Sequence, residues 1–410
     1  MSPIRILHTA DVHLDSPLRS LALRDPELRD RVRTASRTAL ARIVDTALAE
    51  DVDAVLVAGD LFDGAERSAR TAAFLTLQLE RLREGGIRVF HIKGNHDAEN
   101  PLTGEASLPD NVHVFDGRGG KVRLADGVWV HGVSFAKRHA PDSLLPKFHA
   151  PVAGAVNVAM LHTSLTGAEG HDPYAPCTVA DLKAAGFDYW ALGHVHGRQV
   201  HAEAPWIVMP GTPQGRDIGE PGAKSATLVT IGETIGIEEV PTSVMEFLRV
   251  KVDVTDTEGD DDLRHRLRRT LQETARGLVS ESAAIRLHLT GHTPRRWQVL
   301  RDRDVWTDTA ATIARETGTL WLDKVEFDLS DETAPGHGAT EELAELMKSI
   351  REEPGFAGIC RAEIEDIARE LPPSRRAELL PDEAAMDRLA QRLAAAGAER
   401  ILARMKGAAS

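Results

Sequence analysis

Short apolar runs that end abruptly in carboxylates and imidazoles constrain this chain more than any other feature. Ile4-Arg-Ile-Leu-His8 leads into Asp11-Val-His13, and Ala54-Val-Leu-Val-Ala58 ends at Gly59-Asp60. Arg88-Val-Phe-His-Ile92 ends at Gly94-Asn-His-Asp97, Val156-Asn-Val-Ala-Met-Leu161 at His162, and Tyr189-Trp-Ala-Leu192 at Gly193-His-Val-His196. Runs of this length and content predict buried strands. Between the first three lie segments with apolar residues at helical spacing, Arg31 to Glu50 and about Ser68 to Glu84, the second stopped by Gly85-Gly86. Strand-helix-strand alternation predicts an α/β sheet whose strands emerge on one edge. In such sheets the carboxyl ends of the strands line the ligand crevice, so the five polar clusters are expected to converge.

What converges is the inventory of a binuclear metal site: Asp11, His13, Asp60, Asn95, His162, His194 and His196. Carboxylate, amide and imidazole ligands suit manganese, iron or zinc, and a carboxylate can bridge two ions. The Asp-x-His and His-x-His spacings let alternate residues face one centre. Gly59, Gly94 and Gly193 each precede a cluster, where the backbone must turn sharply and approach closely. Each element alone has a bland reading: Asp-x-His is common, Asn-His after a strand can be a turn, and a single histidine is more often a core residue than a ligand. All five in order, each after a strand, make the metal reading.

These motifs, with Gly59-Asp60-Leu-Phe-Asp63 taken whole, resemble the five motifs of the calcineurin-like metallophosphoesterases. Within that superfamily the chain is similar to the SbcD-like DNA repair exonucleases, and to their YhaO-like branch through His13-Leu-Asp-Ser-Pro17, Tyr174-Ala-Pro-Cys177, Asp188-Tyr-Trp-Ala-Leu-Gly-His-Val-His196 and Pro210-Gly-Thr-Pro-Gln-Gly215. The resemblance covers residues 4 to 240 and beyond that only the layout. It implies an α/β fold, a four-layer αββα sandwich at 1–245, with a small α+β capping domain at 246–330 and a C-terminal helical segment at 331–410. It further implies one metal on Asp11, His13, Asp60 and His196, and a second on Asp60, Asn95, His162 and His194, with Asp60 as the bridge. His96 becomes the catalytic imidazole. Asp97 is a candidate to orient it, with turn stabilisation the preferred role. The implied cofactor is a pair of divalent ions, manganese first, with iron or zinc compatible. The implied partners are DNA and an SbcC-like or YhaN-like ATPase, with a homodimer left open. No Gly-x-x-x-x-Gly-Lys-Ser/Thr occurs, so an ATPase has to be another polypeptide.

Past residue 245 the pattern changes. Phe247 to Val254 reads as a half-buried strand, Leu263 to Ala275 as a basic helix, Ala284 to Leu289 as a strand, and Thr307 to Glu316 as a helix. Arg264, Arg266, Arg268, Arg269, Arg295, Arg296, Arg301 and Arg303 are candidates to hold a phosphate backbone, although they alternate with acids as on an ordinary solvated face. Thr333 to Gly338 reads as a linker, followed by two amphipathic helices, one carrying Leu343, Leu346, Met347 and Ile350, the other Met386, Leu389, Leu393, Ile401, Leu402 and Met405.

A net charge of -14 argues against coating nucleic acid through bulk electrostatics, whereas two divalent ions would reverse the sign locally. That balance, with aromatics at 4%, keeps a small-substrate phosphodiesterase or phosphatase as the alternative, and a DNA-end-binding scaffold as a second. Two cysteines and the absence of a leader-like or membrane-length apolar run predict a cytoplasmic protein with no membrane association.

Overall fold

The computed structural model describes residues 3–16, 26–63, 68–98, 108–165, 174–330 and 339–407. The chain divides into two compact units, the first comprising Met1–Arg249, Ala275–Arg286 and Thr319–Asp323, the second Val250–Thr274, Leu287–Gly318 and Lys324–Ser410.

In the first unit the order is β1 (Ile4–Thr9), α1 (Pro26–Ala49), β2 (Ala54–Ala58), α2 (Ala69–Glu84), β3 (Arg88–Ile92), β4 (Val112–Val114), β5 (Gly120–Ala125), β6 (Val128–Gly132), β7 (Val156–His162), α3 (Val179–Ala184), β8 (Tyr189–Gly193), β9 (Gln199–Glu203), β10 (Trp206–Met209), β11 (Ser225–Ile231) and β12 (Ile235–Pro241). Two six-stranded sheets result, ordered β12-β11-β1-β2-β3-β4 and β5-β6-β7-β8-β10-β9. β1, β2 and β3 pair in parallel, as do β6, β7 and β8, so the site-bearing strands of each sheet end on a common edge.

Alternation along the strands builds three cores. Leu7, Val55, Val57 and Val89 face α1 and α2, meeting Ile43, Ala47, Leu75 and Leu79. The opposite faces bring Ile6, Leu56 and Phe90 against Val130, Val158, Met160, Tyr189 and Ala191 of the other sheet. Beyond it Leu161, Trp190 and Ile207 pack with Leu182 of α3. Helix, sheet, sheet and helix make the expected αββα sandwich. Its helices start where capping chemistry says they should: the Ser68 hydroxyl caps α2, and Thr178 with Asp181 forms a capping box on α3.

A third sheet, ordered β13-β14-β15, comprises β13 (Met245–Asp253), β14 (Ser282–His292) and β15 (Leu320–Ser330). The helix α4 (Asp260–Arg276) buries Leu263, Leu267 and Leu271. After α5 (Arg296–Arg301) and α6 (Arg303–Glu316), the described residues of the second unit form four further helices rather than two: α7 (Ala339–Glu352), α8 (Pro354–Arg369), α9 (Pro373–Leu379) and α10 (Glu383–Lys406). α8 and α9 escape a reading by apolar period because Gly355, Gly358 and the prolines interrupt it, yet proline suits the first turn of a helix. α10 docks on α5 through Trp297, which lies between the Arg296 guanidinium at 4.0 Å and the Lys406 ammonium at 4.8 Å. Several of the basic residues of this unit are paired locally: Arg264 with Asp261 at 2.9 Å, Arg266 with Asp262 at 3.3 Å, Arg295 with Asp260 at 2.6 Å. The linker read at Thr333 to Gly338, and Pro17 of the branch motif, lie outside the described residues. No helix among the described residues is long and apolar enough to cross a membrane.

One polar pair is embedded between the two large sheets. His8 accepts from the Tyr189 hydroxyl at its Nδ1 (2.9 Å) and donates from Nε2 to the Leu192 carbonyl (3.0 Å). Burial pushes its pKa down to about 3, against the Leu192 hydrogen bond and with help from Arg198. The ring is therefore neutral in the fold, and between pH 6.5 and about 3 only the unfolded chain binds this proton. The stability it carries is complete above pH 6.5 and is lost as pH falls, by up to about 1.4 kcal/mol per pH unit. Across pH 4 to 8, urea unfolding of wild type and His8→Gln is expected to differ by that slope, the wild type losing stability more steeply below pH 6.5; parallel curves would contradict it.

Candidate metal centre

The loops leaving β1 and β2 are zipped by their backbones: the Asp11 amide donates to the Gly59 carbonyl at 3.0 Å and the His13 amide to Asp60 at 3.1 Å. Asp11, His13, Asp60 and His194 all hold positive φ, at 52°, 43°, 52° and 103°. Such left-handed backbone costs a non-glycine residue about 1–3 kcal/mol and persists where surrounding structure enforces it. Part of that enforcement is Asp97, whose buried carboxylate accepts from the amides of Leu61 (3.2 Å), Phe62 (3.0 Å) and Gly94 (3.2 Å), tying the β2 and β3 exits together. This is the turn-stabilising role preferred for it from sequence. A Cβ on Gly94 would collide with the Asp60 carboxylate, and one on Gly193 with the Ala58 carbonyl, so both glycines are set by close approach.

The sequence candidates do come together. The ligand atoms of Asp11, His13 and His196 lie within 4.8 Å of one another, as do those of Asp60, His162 and His194, and those of His13, Asp60 and His96. Asp60 Oδ2 stands between the lobes, 3.3 Å from His162 Nε2 and 3.9 Å from His13 Nε2. Asn95 Oδ1 is 3.1 Å from His162 Nε2, and His194 Nδ1 is 3.3 Å from the same atom. In the other lobe His13 Nε2 and His196 Nε2 are 3.2 Å apart, with Asp11 Oδ1 3.9 Å from the latter. Asp11, His13, Asp60, Asn95 and His162 are buried, whereas His96 and His196 retain partial exposure.

The donor set fits cations. His162 Nδ1 donates to the Ala58 carbonyl at 3.0 Å, which leaves the Nε2 lone pair facing an amide oxygen, a carboxylate oxygen and another imidazole nitrogen. Acceptors arranged around an acceptor require positive charge among them. Without a metal, protons are drawn in: against the penalty of burial, the Asp60 and Asp11 carboxylates carry the His162 pKa up to about 9. Burial likewise favours the acid form of Asp60, yet His162, His13 and His96 hold its carboxyl far below the usual range.

Two positioning groups went unread in the sequence. Glu220 Oε1 lies 2.6 Å from His196 Nδ1, and Arg216 grips the same carboxylate through its backbone amide (2.8 Å) and Nη2 (2.9 Å). Although burial opposes it, hydrogen bonding from His196 and the Arg216 charge pull Glu220 down to about 2. Glu220, with the Arg216 Nη2 2.9 Å from the same Nδ1, orients the His196 ring so that its Nε2 faces Asp11 and His13. Asp63 Oδ1 faces His13 Nδ1 at 3.6 Å and His96 Nδ1 at 3.5 Å, and the facing His13 imidazole keeps its carboxyl low. Asp63, rather than Asp97, is thus the carboxylate beside His96. Burial lowers the His96 pKa, with Asp60 opposing. Asp63 sat in a quoted motif, but nothing around Glu220 marked it as a partner of His196.

Residues 4–198 match the family described as calcineurin-like phosphoesterase, and residues 247–330 match that described as metallophosphoesterase YhaO, middle domain. The chain is 38% identical over 244 residues to the uncharacterized metallophosphoesterase YhaO of Bacillus subtilis, covering 56% of this chain and 58% of that protein. It is 26% identical over 208 residues to the DNA double-strand break repair protein Mre11 of Sulfurisphaera tokodaii, covering 49% and 51% respectively. The chain thus spans little more than half the length of these curated relatives. Among solved structures, a dimetal phosphatase from Danio rerio aligns with a TM-score of 0.39 and 13% identity over 58% of this chain and 96% of that one.

Truncating Glu220 is expected to weaken metal binding rather than the fold. In manganese titrations by calorimetry, Glu220→Ala should lower the affinity of one ion by about 10- to 100-fold, with Glu220→Gln intermediate because it keeps an acceptor. Wild-type affinity for both ions in Glu220→Ala would remove it from the centre.

Proposed function

We propose, from the calcineurin-like phosphoesterase domain at residues 4–198 and the YhaO-type middle domain at 247–330, that this chain is a cytoplasmic DNA nuclease subunit, manganese-dependent and partnered in repair by an SbcC-like or YhaN-like ATPase. The observation that carries the hydrolytic reading is the pair of acceptor-lined lobes sharing Asp60. The DNA substrate is supported by the kinship with proteins named for double-strand break repair.

Asp11, His13, Asp60 and His196 would hold one cation, and Asp60, Asn95, His162 and His194 the other. Ions bound there would supply Lewis-acid activation of water and neutralise charge on the phosphoryl oxygens. Asp60 keeps the lobes in register, anchored by the His96 amide, which donates to its Oδ1 at 2.9 Å. That bond places the His96 ring beside Asp60 and the His13 lobe, edge-on to His13 with ring centroids 4.9 Å apart. With Asp63 holding the Nδ1 side, the ring is placed to hydrogen-bond the phosphoryl group and hand a proton to the leaving oxygen. No side chain is required as a covalent nucleophile.

Manganese-loaded protein is expected to hydrolyse bis-p-nitrophenyl phosphate and to degrade linear DNA. His96→Ala should lower kcat about 10²- to 10⁴-fold while retaining both ions. The net charge of -14 favours the small-substrate phosphodiesterase or phosphatase alternative. Hydrolysis of the small diester with linear DNA left intact, with and without the ATPase, would decide for it.

A further inference from the structure

The chain leaving β6 runs along the His162 and His194 side of the centre and carries charge that the proposed chemistry does not use. Phe135 meets the edge of His162 with centroids 5.5 Å apart, and its amide donates to the Lys93 carbonyl at 2.9 Å, two residues before Asn95. Tyr174, pinned by two hydrogen bonds of 2.9 Å to Ser164, has its ring 5.2 Å from that of His194. On the same tyrosine stack Phe135 (6.5 Å, 27°) and His139 (6.1 Å, 13°). The three residues between Phe135 and His139 are therefore held at both ends against the metal-facing histidines.

Two of those three are Lys137 and Arg138, and both are exposed. Neither forms an ion pair among the described residues, unlike Arg264, Arg266 and Arg295 of the second unit. Arg138 is near enough for its charge to be felt at His96. In a chain of net charge -14, fields beyond the Debye length of about 8 Å are screened, so uncompensated cations on a segment packed against the centre outweigh the negative charge summed over the chain.

We propose that Lys137 and Arg138 form an anion subsite that holds the phosphate next to the scissile one in a single DNA strand, selecting phosphodiester chains over isolated phosphoesters. This rests on the nuclease reading above and deepens it. A small ester offers one phosphoryl group, which the centre occupies, and leaves this segment nothing to bind. A DNA strand presents a further charge for each nucleotide, which cations on this segment can hold. Arginine and lysine grip such phosphates without reading sequence, so the subsite fixes the register of the strand and not its bases.

The test compares full-length wild type, Lys137→Ala/Arg138→Ala and Arg138→Lys. Binding of a fluorescent oligothymidylate is followed by anisotropy in calcium over a salt series, and manganese-dependent hydrolysis of bis-p-nitrophenyl phosphate is measured in parallel. The double variant should bind the strand about tenfold more weakly at physiological salt, with its log–log salt slope flattened by about 1.4, since each lost single-strand contact removes about 0.7. Its loss on the small diester should be at least tenfold smaller than its loss on the strand, and Arg138→Lys should keep the slope. An unchanged slope in the double variant, with wild type binding the strand normally, overturns the subsite alone. Equal losses on both substrates overturn it too, by making the segment a support of the centre. Wild type that hydrolyses the diester but shows no salt-dependent strand binding overturns the nuclease reading and the subsite together.

Discussion

Asp60 is a carboxylate sealed from water with histidines on either side, and much of the first unit is arranged to keep it there. Its Oδ2 lies between His162 and His13, its Oδ1 accepts from the His96 amide, and its backbone sits in left-handed conformation. A buried carboxylate is tolerated only if positive charge or strong donors compensate it. The His96 amide serves Oδ1, whereas the groups facing Oδ2 are imidazole nitrogens that become acceptors once their tautomers are fixed, which makes a cation on each side the natural complement.

That requirement propagates outward. Gly94 has no side chain because Asp60 occupies the space, and the Asp97 carboxylate ties the loops after β2 and β3 so that Asn95 and Asp60 face each other. Behind them, parallel pairing in each sheet brings five strand exits to the centre, and His8 with Tyr189 ties the sheets together through a buried hydrogen bond. Rigid strands make the strained backbone affordable, because packing in three cores outweighs about 1–3 kcal/mol at each left-handed position. Precision in the site is thus a property of the sandwich rather than of the loops alone.

Much of this was legible in the sequence. Strands 54–58 and 88–92 coincide with their apolar runs, and α1 and α2 cover the two segments of helical period, α1 beginning earlier, at Pro26. The seven ligand candidates were named because each follows a strand that periodicity marks, whereas His96 was singled out by the family resemblance. Other features left no such trace. β9 and the edge strand β12 bury little, so they lack a clean alternation, and α8 hides behind glycines. Glu220 and Asp63 act through contacts made across the fold; no local spacing announces that Glu220 meets His196. Conversely, the arginines that looked suggestive in sequence turn out to be largely matched by acids one turn or one element away.

The account stands on two cations sharing Asp60. Equilibrium dialysis against manganese followed by elemental analysis measures this directly, with spin coupling between the ions read by electron paramagnetic resonance. Two manganese ions per wild-type chain, magnetically coupled, falling to one or none in Asp60→Asn, is the expected result. One ion in the wild type, or two uncoupled ions retained by Asp60→Asn, would contradict it.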